Sequence, residues 1–113
     1  MRGRIAALAL VAAGGAVGAL LRYGVDVAVG GPAGTLLVNV LGSFALGLIT
    51  VALLPDRVRL FAATGLCSSF TTYSTFAVDA SALGGTAGVV YVGLTYGLGV
   101  AAAAAGVTVG RWR

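Results

Sequence analysis

The sequence contains no histidine, no lysine and no glutamate, and only 9% of its 113 residues are charged. A soluble globular domain carries about 25% charged residues, whereas 59% of this chain is hydrophobic, so the composition excludes an ordinary water-soluble fold. General acid–base catalysis near neutral pH relies on His, Glu or Lys, and zinc sites need clustered Cys, His or carboxylates. The composition therefore predicts a protein that is not an enzyme.

Cysteine is also scarce, since the single Cys67 lies within an apolar run. It cannot form an intramolecular disulfide, and a lone cysteine in such a run is usually a small buried hydrophobic residue. The net charge of +4 comes from seven arginines and three aspartates. These arginines lie at the edges of apolar runs rather than along one helix face, so we predict no nucleic-acid partner.

Charged residues divide the chain into four long apolar segments. A membrane-spanning helix needs about 20 mostly apolar residues, and Gly and Pro residues that favour turns separate the segments. The predicted spans cover residues 5–25, 34–54, 59–82 and 86–109. We therefore predict one all-α membrane domain over 1–113, whose short connectors make consecutive transmembrane helices antiparallel. The first span also resembles a secretory signal peptide, but its small residues continue in an ordered pattern as far as Arg22.

The arginines are distributed unevenly between the two predicted ends of the bundle. With four spans, both termini and the middle connector lie on one side of the membrane. That side collects six arginines, which are Arg2, Arg4, Arg57, Arg59, Arg111 and Arg113. The other side has only Arg22. Because basic loops favour the cytoplasm, we predict a multi-pass protein of the cell membrane with its N- and C-termini in the cytoplasm, in contact with membrane lipid.

Polar side chains occupy specific helix faces in the first two spans. Arg22 follows Gly14 and Gly18 at intervals of four, and it either snorkels to the nearby interface or stands at the mouth of an anion-attracting cavity. Asn39 lies in mid-span, where its amide must meet another helix, water or a ligand. Two roles remain open for Asn39, namely interhelical contact and pore lining.

The third span carries the most specific signal, a run of six Ser or Thr residues within positions 68–75. β-branched Thr weakens helix propensity, and we predict that the helix breaks near Thr71. Backbone freed at membrane depth is tolerated where it is buried or lines a cavity. Broken membrane helices also offer carbonyls to cations and N–H groups to anions. The alternative is an unbroken helix whose hydroxyls bond to the preceding turn.

Aromatic and hydroxyl side chains extend the polar pattern. Phe70, Tyr73 and Phe76 recur every three residues, and the electropositive edges of such rings can face an anion. In the fourth span, Tyr91 and Thr95 lie one turn apart. They form either a packing seam or a hydroxyl track that faces the second span.

Three segments together resemble the Fluc/CrcB family of fluoride channels. They are residues 14–23 (GGAVGALLRY), 34–42 (GTLLVNVLG) and 71–76 (TTYSTF). The resemblance implies a passive, fluoride-selective channel that exports fluoride and lowers its cytoplasmic concentration. It also implies an antiparallel dimer of four-helix subunits with two pores and a structural sodium ion (Na+) at the dimer centre.

The family pattern assigns roles to individual positions of this chain. It implies that the backbone carbonyls of Ser68 and Thr71 bind the sodium ion and that Arg22 lies at a vestibule. The implied pore-lining residues are Asn39, Tyr73, Ser74, Thr75, Phe76, Tyr91 and Thr95. The chain departs from the usual family pattern at three places: Tyr73 replaces Phe, Ser68–Ser69 replaces Gly–Gly, and Asp79 replaces Glu.

The arginine bias also bears on the dimer partner. A self-pairing antiparallel dimer needs one sequence that inserts in both orientations, and six arginines against one oppose this. We therefore expect pairing with an oppositely oriented paralogue, with a homodimer as the alternative.

Two other functions are alternatives to a fluoride channel. A small multidrug or guanidinium exporter needs a membrane-embedded carboxylate, which the first span lacks, and a non-transporting structural subunit needs only the packing seams.

Overall fold

The protein folds into helices joined by short turns, and the computed structural model describes residues 1–112. The helices are α1 (Arg2–Ala28), α2 (Gly31–Val51), α3 (residues 56–70), α4 (Tyr73–Leu83) and α5 (Gly85–Arg111). Residues 1–112 contain no strand. Because α3 and α4 are the two halves of the third span, the predicted all-α fold with a broken third helix is confirmed. Arg113, which the sequence assigns to the basic end, lies outside the described residues.

Three of the helices are long and apolar enough to cross a membrane unaided. These are α1 and α5 with 27 residues each and α2 with 21 residues, and their mean hydropathies are 1.9, 1.6 and 1.9. A 21-residue helix extends over about 32 Å, which matches a hydrocarbon core about 30 Å thick. The broken pair α3–α4 occupies the remaining span. The chain is therefore a multi-pass membrane protein.

The turns at one end of the bundle are built from glycine pairs. Gly30 and Gly31 have φ values of 66° and 62°, and Gly84 and Gly85 have values of 60° and 53°. Residues with a side chain rarely adopt this left-handed region. The glycines therefore allow α2 and α5 to begin within one or two residues of the preceding helix.

One of the two most extensive helix contacts joins α1 to α3, which are not consecutive in the chain. A Cβ atom at Gly14 would overlap the Phe61 carbonyl, and one at Gly18 would overlap the Leu66 carbonyl. Because the contacts advance in the same direction along both helices, α1 and α3 run parallel. Close backbone approach through small residues is the usual way in which membrane helices associate.

A second glycine seam joins α2 to α5, which also run parallel. Gly47 lies against the Ala103 carbonyl, and Gly110 lies against the Val51 side chain, so the contacts advance in the same direction along both helices. Consecutive helices contact each other less than these alternate pairs do. The four spans thus form two parallel pairs that face in opposite directions, and consecutive spans are antiparallel as expected.

The turns of α3 are wider than those of an α-helix over the segment Leu60–Cys67, where the backbone bonds follow the i→i+5 pattern of a π-helix. In an α-helix, Phe61 and Leu66 would point about 140° apart, since each residue advances the direction by about 100°. A turn that closes over five residues brings both carbonyls to the side that faces Gly14 and Gly18. The wider turns therefore fit α3 to the glycines of α1.

Most of the large apolar side chains remain exposed on the surface of the chain. Val38 is the one large side chain among residues 1–112 that is fully buried, whereas Leu8, Val89 and Val100 are each about 70% exposed. In water such a surface would drive association. In a bilayer it is the surface that faces lipid tails or another membrane chain.

Candidate functional site: a groove at the helix break

The break in the third span falls at the position that the sequence predicts. α3 ends at Phe70, and Thr71 and Thr72 adopt extended backbone conformations with ψ values of 159° and 122°. α4 begins at Tyr73, and the Thr72 Oγ1 accepts a hydrogen bond of 3.2 Å from the Thr75 backbone N–H. Such a cap satisfies one of the free donors at a helix start. The second half of the span therefore restarts as a properly capped helix.

The Asn39 side chain on α2 holds the break in place. Its Nδ2 donates a hydrogen bond of 2.9 Å to the Thr72 carbonyl, and the Thr72 N–H donates one of 2.8 Å to the Asn39 Oδ1. The backbone N–H and carbonyl of Thr72, which belong to two successive peptide units, are thus both paired by the Asn39 side-chain amide. On the opposite side, the Ser43 Oγ donates a bond of 2.7 Å to the Asn39 carbonyl. The structure assigns Asn39 the interhelical role, while its position in the wall of the groove leaves the pore-lining prediction open.

The same contacts divert the donors that would otherwise bond to two carbonyls. In a continuous α-helix the Thr72 N–H would bond to the Ser68 carbonyl, but it bonds to Asn39. The Thr75 N–H would bond to the Thr71 carbonyl, but it bonds to the Thr72 hydroxyl. Carbonyls without a helical donor at membrane depth can coordinate a cation. The backbone carbonyl oxygens of Ser68 and Thr71 are therefore ligands of the type that a sodium ion binds.

A groove of about 510 Å³ opens beside the break. Four of the five helices contribute to its wall, and one side is open. The polar lining residues are Asn39, Ser43, Ser68, Thr71, Thr72, Tyr73, Thr95 and Tyr96. Small residues such as Gly42, Gly99 and Ala103 form part of the remaining wall. The site is thus a mainly apolar cleft in which hydroxyl and amide groups lie close to freed backbone.

Phe76 lies at the centre of an aromatic cluster in this groove. It is 6% exposed, and its ring centroid lies 5.7 Å from Tyr73, 5.6 Å from Tyr91 and 5.9 Å from Tyr96. The Tyr96 ring meets the Phe76 ring at 87°, in an edge-to-face contact. Tyr73, by contrast, is 72% exposed. The cluster therefore fixes Phe76 and leaves one Tyr73 face for lipid or a partner.

Two buried hydroxyl groups on α5 have no hydrogen-bond partner among residues 1–112. They are the Tyr91 hydroxyl and the Thr95 Oγ1. A buried polar group that lacks a partner costs about 1–3 kcal/mol, and each such group in a native protein calls for an explanation. Because Tyr91 and Thr95 lie one turn apart, they present two donors on the same face of α5.

A separate polar contact lies nearer the end of the bundle that carries the glycine turns. The Thr35 Oγ1 on α2 donates a hydrogen bond of 2.8 Å to the Asp79 Oδ2 on α4. Arg22 is half-buried towards the same end, and it makes no ion pair with an acidic side chain of the described chain. Its vestibule role stays a prediction.

The predicted site residues fall into two groups. Asn39, Tyr73, Phe76 and Thr95 line the groove together with Ser68 and Thr71. The three other predicted pore residues, Ser74, Thr75 and Tyr91, do not line it. Thr75 instead bonds to the cap, where its Oγ1 lies 3.2 Å from the Thr72 Oγ1, and the Ser74 Oγ lies 3.4 Å from that same atom.

Three polar residues of the groove, Ser43, Thr72 and Tyr96, were not assigned to the site from the sequence. The backbone of Thr72 binds Asn39, and its side chain caps α4. The sequence signal for this role is a hydroxyl residue directly before the start of a helix. Tyr96 lines the groove and packs on Phe76. It follows Tyr91 by five residues, which places it on a different face of α5, so the four-residue spacing of the polar residues did not include it.

Comparison with known proteins gives one consistent result. Residues 9–107 match the model of the family described as CrcB-like protein, Camphor Resistance (CrcB). The chain is 46% identical to fluoride-specific ion channel FluC 1 of Natronomonas pharaonis, over 95% of this chain and 96% of that protein. Two proteins of Halobacterium salinarum are also similar. FluC 2 is 48% identical over 91% of this chain and 82% of that protein, and FluC 1 is 51% identical over 66% and 65%.

Proposed function

The chain belongs to the CrcB family, and from this premise we propose that it is a fluoride-specific ion channel that exports fluoride passively and lowers its cytoplasmic concentration. The relatives that match most of its length carry the name of that activity. A channel needs a path and a set of ligands for the ion, and it transforms no substrate. Family membership favours this function over the exporter and over the structural subunit.

The observation that supports the proposal best is the pair of unpaired hydroxyls, Tyr91 and Thr95, beside the aromatic cluster around Phe76. A bare small anion in a low-dielectric medium costs tens of kcal/mol, so the protein must replace its water with hydrogen-bond donors. Neutral hydroxyl donors and ring edges do so without a fixed positive charge that would hold the ion. Thr95 is also one of the residues that form the wall of the groove.

The groove is open on one side, and we propose that a second subunit closes it. An antiparallel partner would present its own break to the first, and the Ser68 and Thr71 carbonyls of both chains would hold a sodium ion at the centre. When bound, the ion would supply a positive charge that does not titrate. The diverted donors of Thr72 and Thr75 support this assignment because they leave both carbonyls without their helical partners.

We propose further that the partner is an oppositely oriented paralogue and that both termini of this chain lie in the cytoplasm. Six arginines lie at the end that carries the termini and one at the other end, which favours a single orientation. The presence of both FluC 1 and FluC 2 in Halobacterium salinarum is consistent with paired paralogues. A homodimer is the alternative.

Fluoride efflux from liposomes tests the channel function. The chain is reconstituted alone and then together with its candidate paralogue, with chloride as the control anion. We expect rapid fluoride efflux without chloride efflux in at least one preparation, and efflux only in the mixed one if the partner is a paralogue. Folded protein that passes no fluoride in either preparation would rule out the channel.

A reporter enzyme fused to the C-terminus tests the orientation. We expect activity on the cytoplasmic side alone. Equal populations on both sides would contradict the fixed orientation and would favour the homodimer.

A further inference from the structure

Arg59 differs from the other described arginines at the basic end of the bundle because its guanidinium group forms hydrogen bonds within the protein. The Nη1 atom donates a hydrogen bond of 2.8 Å to the Ile49 carbonyl, and the Nη2 atom donates one of 2.9 Å to the Ala52 carbonyl. The last carbonyls of a helix lack intrahelical donors, and α2 ends at Val51. The Arg59 guanidinium therefore caps the C-terminal end of α2 from the first turn of α3.

Arg57 lies two residues away and provides a natural comparison. It is exposed, whereas Arg59 is half-buried. The structure gives the Arg57 side chain no hydrogen bond or ion pair with residues 1–112. The two residues thus carry the same charge at the same end of the same helix, but only Arg59 joins α3 to α2.

Three polar contacts attach α2 to the broken span. Thr35 bonds to Asp79 on α4, and Asn39 bonds to the N–H and the carbonyl of Thr72 at the break. The third is the Arg59 contact, so the Asn39 and Arg59 contacts are the two that bear on the position of α3.

On α2, Asn39 and Ile49 are ten residues apart, which corresponds to about 15 Å along the helix axis. In the broken span, α3 covers the corresponding distance from Arg59 to the break through the wide turns of Leu60–Cys67.

The glycine seam holds α3 tightly against α1, but α3 contacts α2 much less, so the position of α3 along α2 depends on the polar contacts between them. Two attachments at different heights fix both the axial position and the rotation of α3. We propose that Arg59 is a positioning residue that sets the register of α3 so that the break lies beside Asn39. The inference rests on the proposed channel function only for its effect on flux.

The single native thiol reports this register directly. Cys67 lies on α3 between Arg59 and the break, and it is 4% exposed. The test compares Arg59→Gln with the matched variant Arg57→Gln and with Arg59→Lys, which keeps the charge but loses the two-pronged geometry. Each variant is reconstituted with the same partner as the wild type. The measurements are the rate at which N-ethylmaleimide modifies Cys67, the melting temperature and fluoride efflux.

We expect Arg59→Gln to raise the rate of Cys67 modification at least fivefold well below its melting temperature and to lower fluoride efflux at least fivefold. Arg59→Lys should give intermediate values, and Arg57→Gln should match the wild type in both. If Arg59→Gln fails to fold, Arg59→Lys decides the question alone by the same two measurements.

Unchanged Cys67 protection in folded Arg59 variants would overturn the proposal, even if their melting temperature fell, because a purely structural cap affects stability without moving α3. Equal effects of Arg57→Gln and Arg59→Gln would overturn it as well, since only the charge would then matter. A wild type that passes no fluoride would refute the channel function, whereas the thiol measurement would still decide the role of Arg59.

Discussion

The seam between α1 and α3 and the break between α3 and α4 both hold helices together inside a membrane, but by opposite means. At the seam, Gly14 and Gly18 bring two backbones into direct contact, and one hydrogen bond of 2.7 Å from the Ser69 hydroxyl to the Gly15 carbonyl crosses it. At the break, side-chain atoms of Asn39 and Thr72 pair with freed backbone groups. Added side-chain volume is therefore expected to destabilise the seam, whereas loss of a polar side-chain atom is expected to destabilise the break.

The largest effect should come from adding one methyl group to the seam. In Gly14→Ala the new Cβ would overlap the Phe61 carbonyl, and backbone cannot yield as a flexible side chain does. Overpacking costs about 1–3 kcal/mol, so we expect a clearly lower melting temperature in detergent and less monodisperse protein.

The neighbouring residue supplies the control for that experiment. A Cβ at Gly15 has no atom within 4 Å, and Ala is more stable than Gly in a helix by about 0.5–1 kcal/mol. Gly15→Ala should therefore fold at least as well as the wild type. Equal losses of stability in the two variants would show that the seam is not the cause.

A comparable effect on stability, together with a large one on transport, should follow from removing the Asn39 amide. Asn39→Ala leaves the N–H and the carbonyl of Thr72 without partners, and each unpaired buried group costs about 1–3 kcal/mol. If about 1.4 kcal/mol of this appears in the barrier to conduction, efflux falls about tenfold. We expect a folded protein whose fluoride efflux is at least that much slower.

Ser43→Ala tests whether the break itself is responsible. Ser43 lies one turn further along α2 and bonds only to the Asn39 carbonyl, so its loss should change efflux less than twofold, a range that corresponds to about 0.4 kcal/mol. If Ser43→Ala slowed efflux as much as Asn39→Ala, the contact with Thr72 would not be the important one.

The positions of the break and of the glycine seam could be predicted from the sequence. The break near Thr71 followed from a dense run of Ser and Thr in an apolar span, because both β-branching and hydroxyl competition act locally. The spacing of four between Gly14 and Gly18 is typical of a packing face, because it places both glycines on one side of a single helix. Local patterns of this kind survive in the tertiary structure because the membrane gives the helices no other way to satisfy their backbones.

The identity of each partner could not be predicted in the same way. Asn39 required a partner, but nothing in its own helix shows that the partner is the Thr72 peptide, which is 33 residues away. The wide turns of Leu60–Cys67 depend on contact with α1, because an isolated sequence of this composition would favour an ordinary α-helix. Distances along the chain say little about which of four spans will pack together, and here alternate spans pack most closely.

The smallest effect should come from Thr95→Val, which distinguishes a structural hydroxyl from one that serves the ion. The Thr95 Oγ1 is buried without a hydrogen-bond partner among residues 1–112. Its replacement by a methyl group of similar volume therefore removes a desolvation penalty of about 1 kcal/mol, the lower end of the range for an unpaired buried group. We expect Thr95→Val to melt at the same temperature as the wild type or slightly above it, and to pass fluoride a few-fold more slowly. Thr108→Val on the same helix is the control, because the Thr108 hydroxyl only bonds to the Ala104 carbonyl at 2.8 Å. A hydroxyl that stabilised the fold would give the opposite result, since its loss would then lower the melting temperature and leave fluoride efflux unchanged.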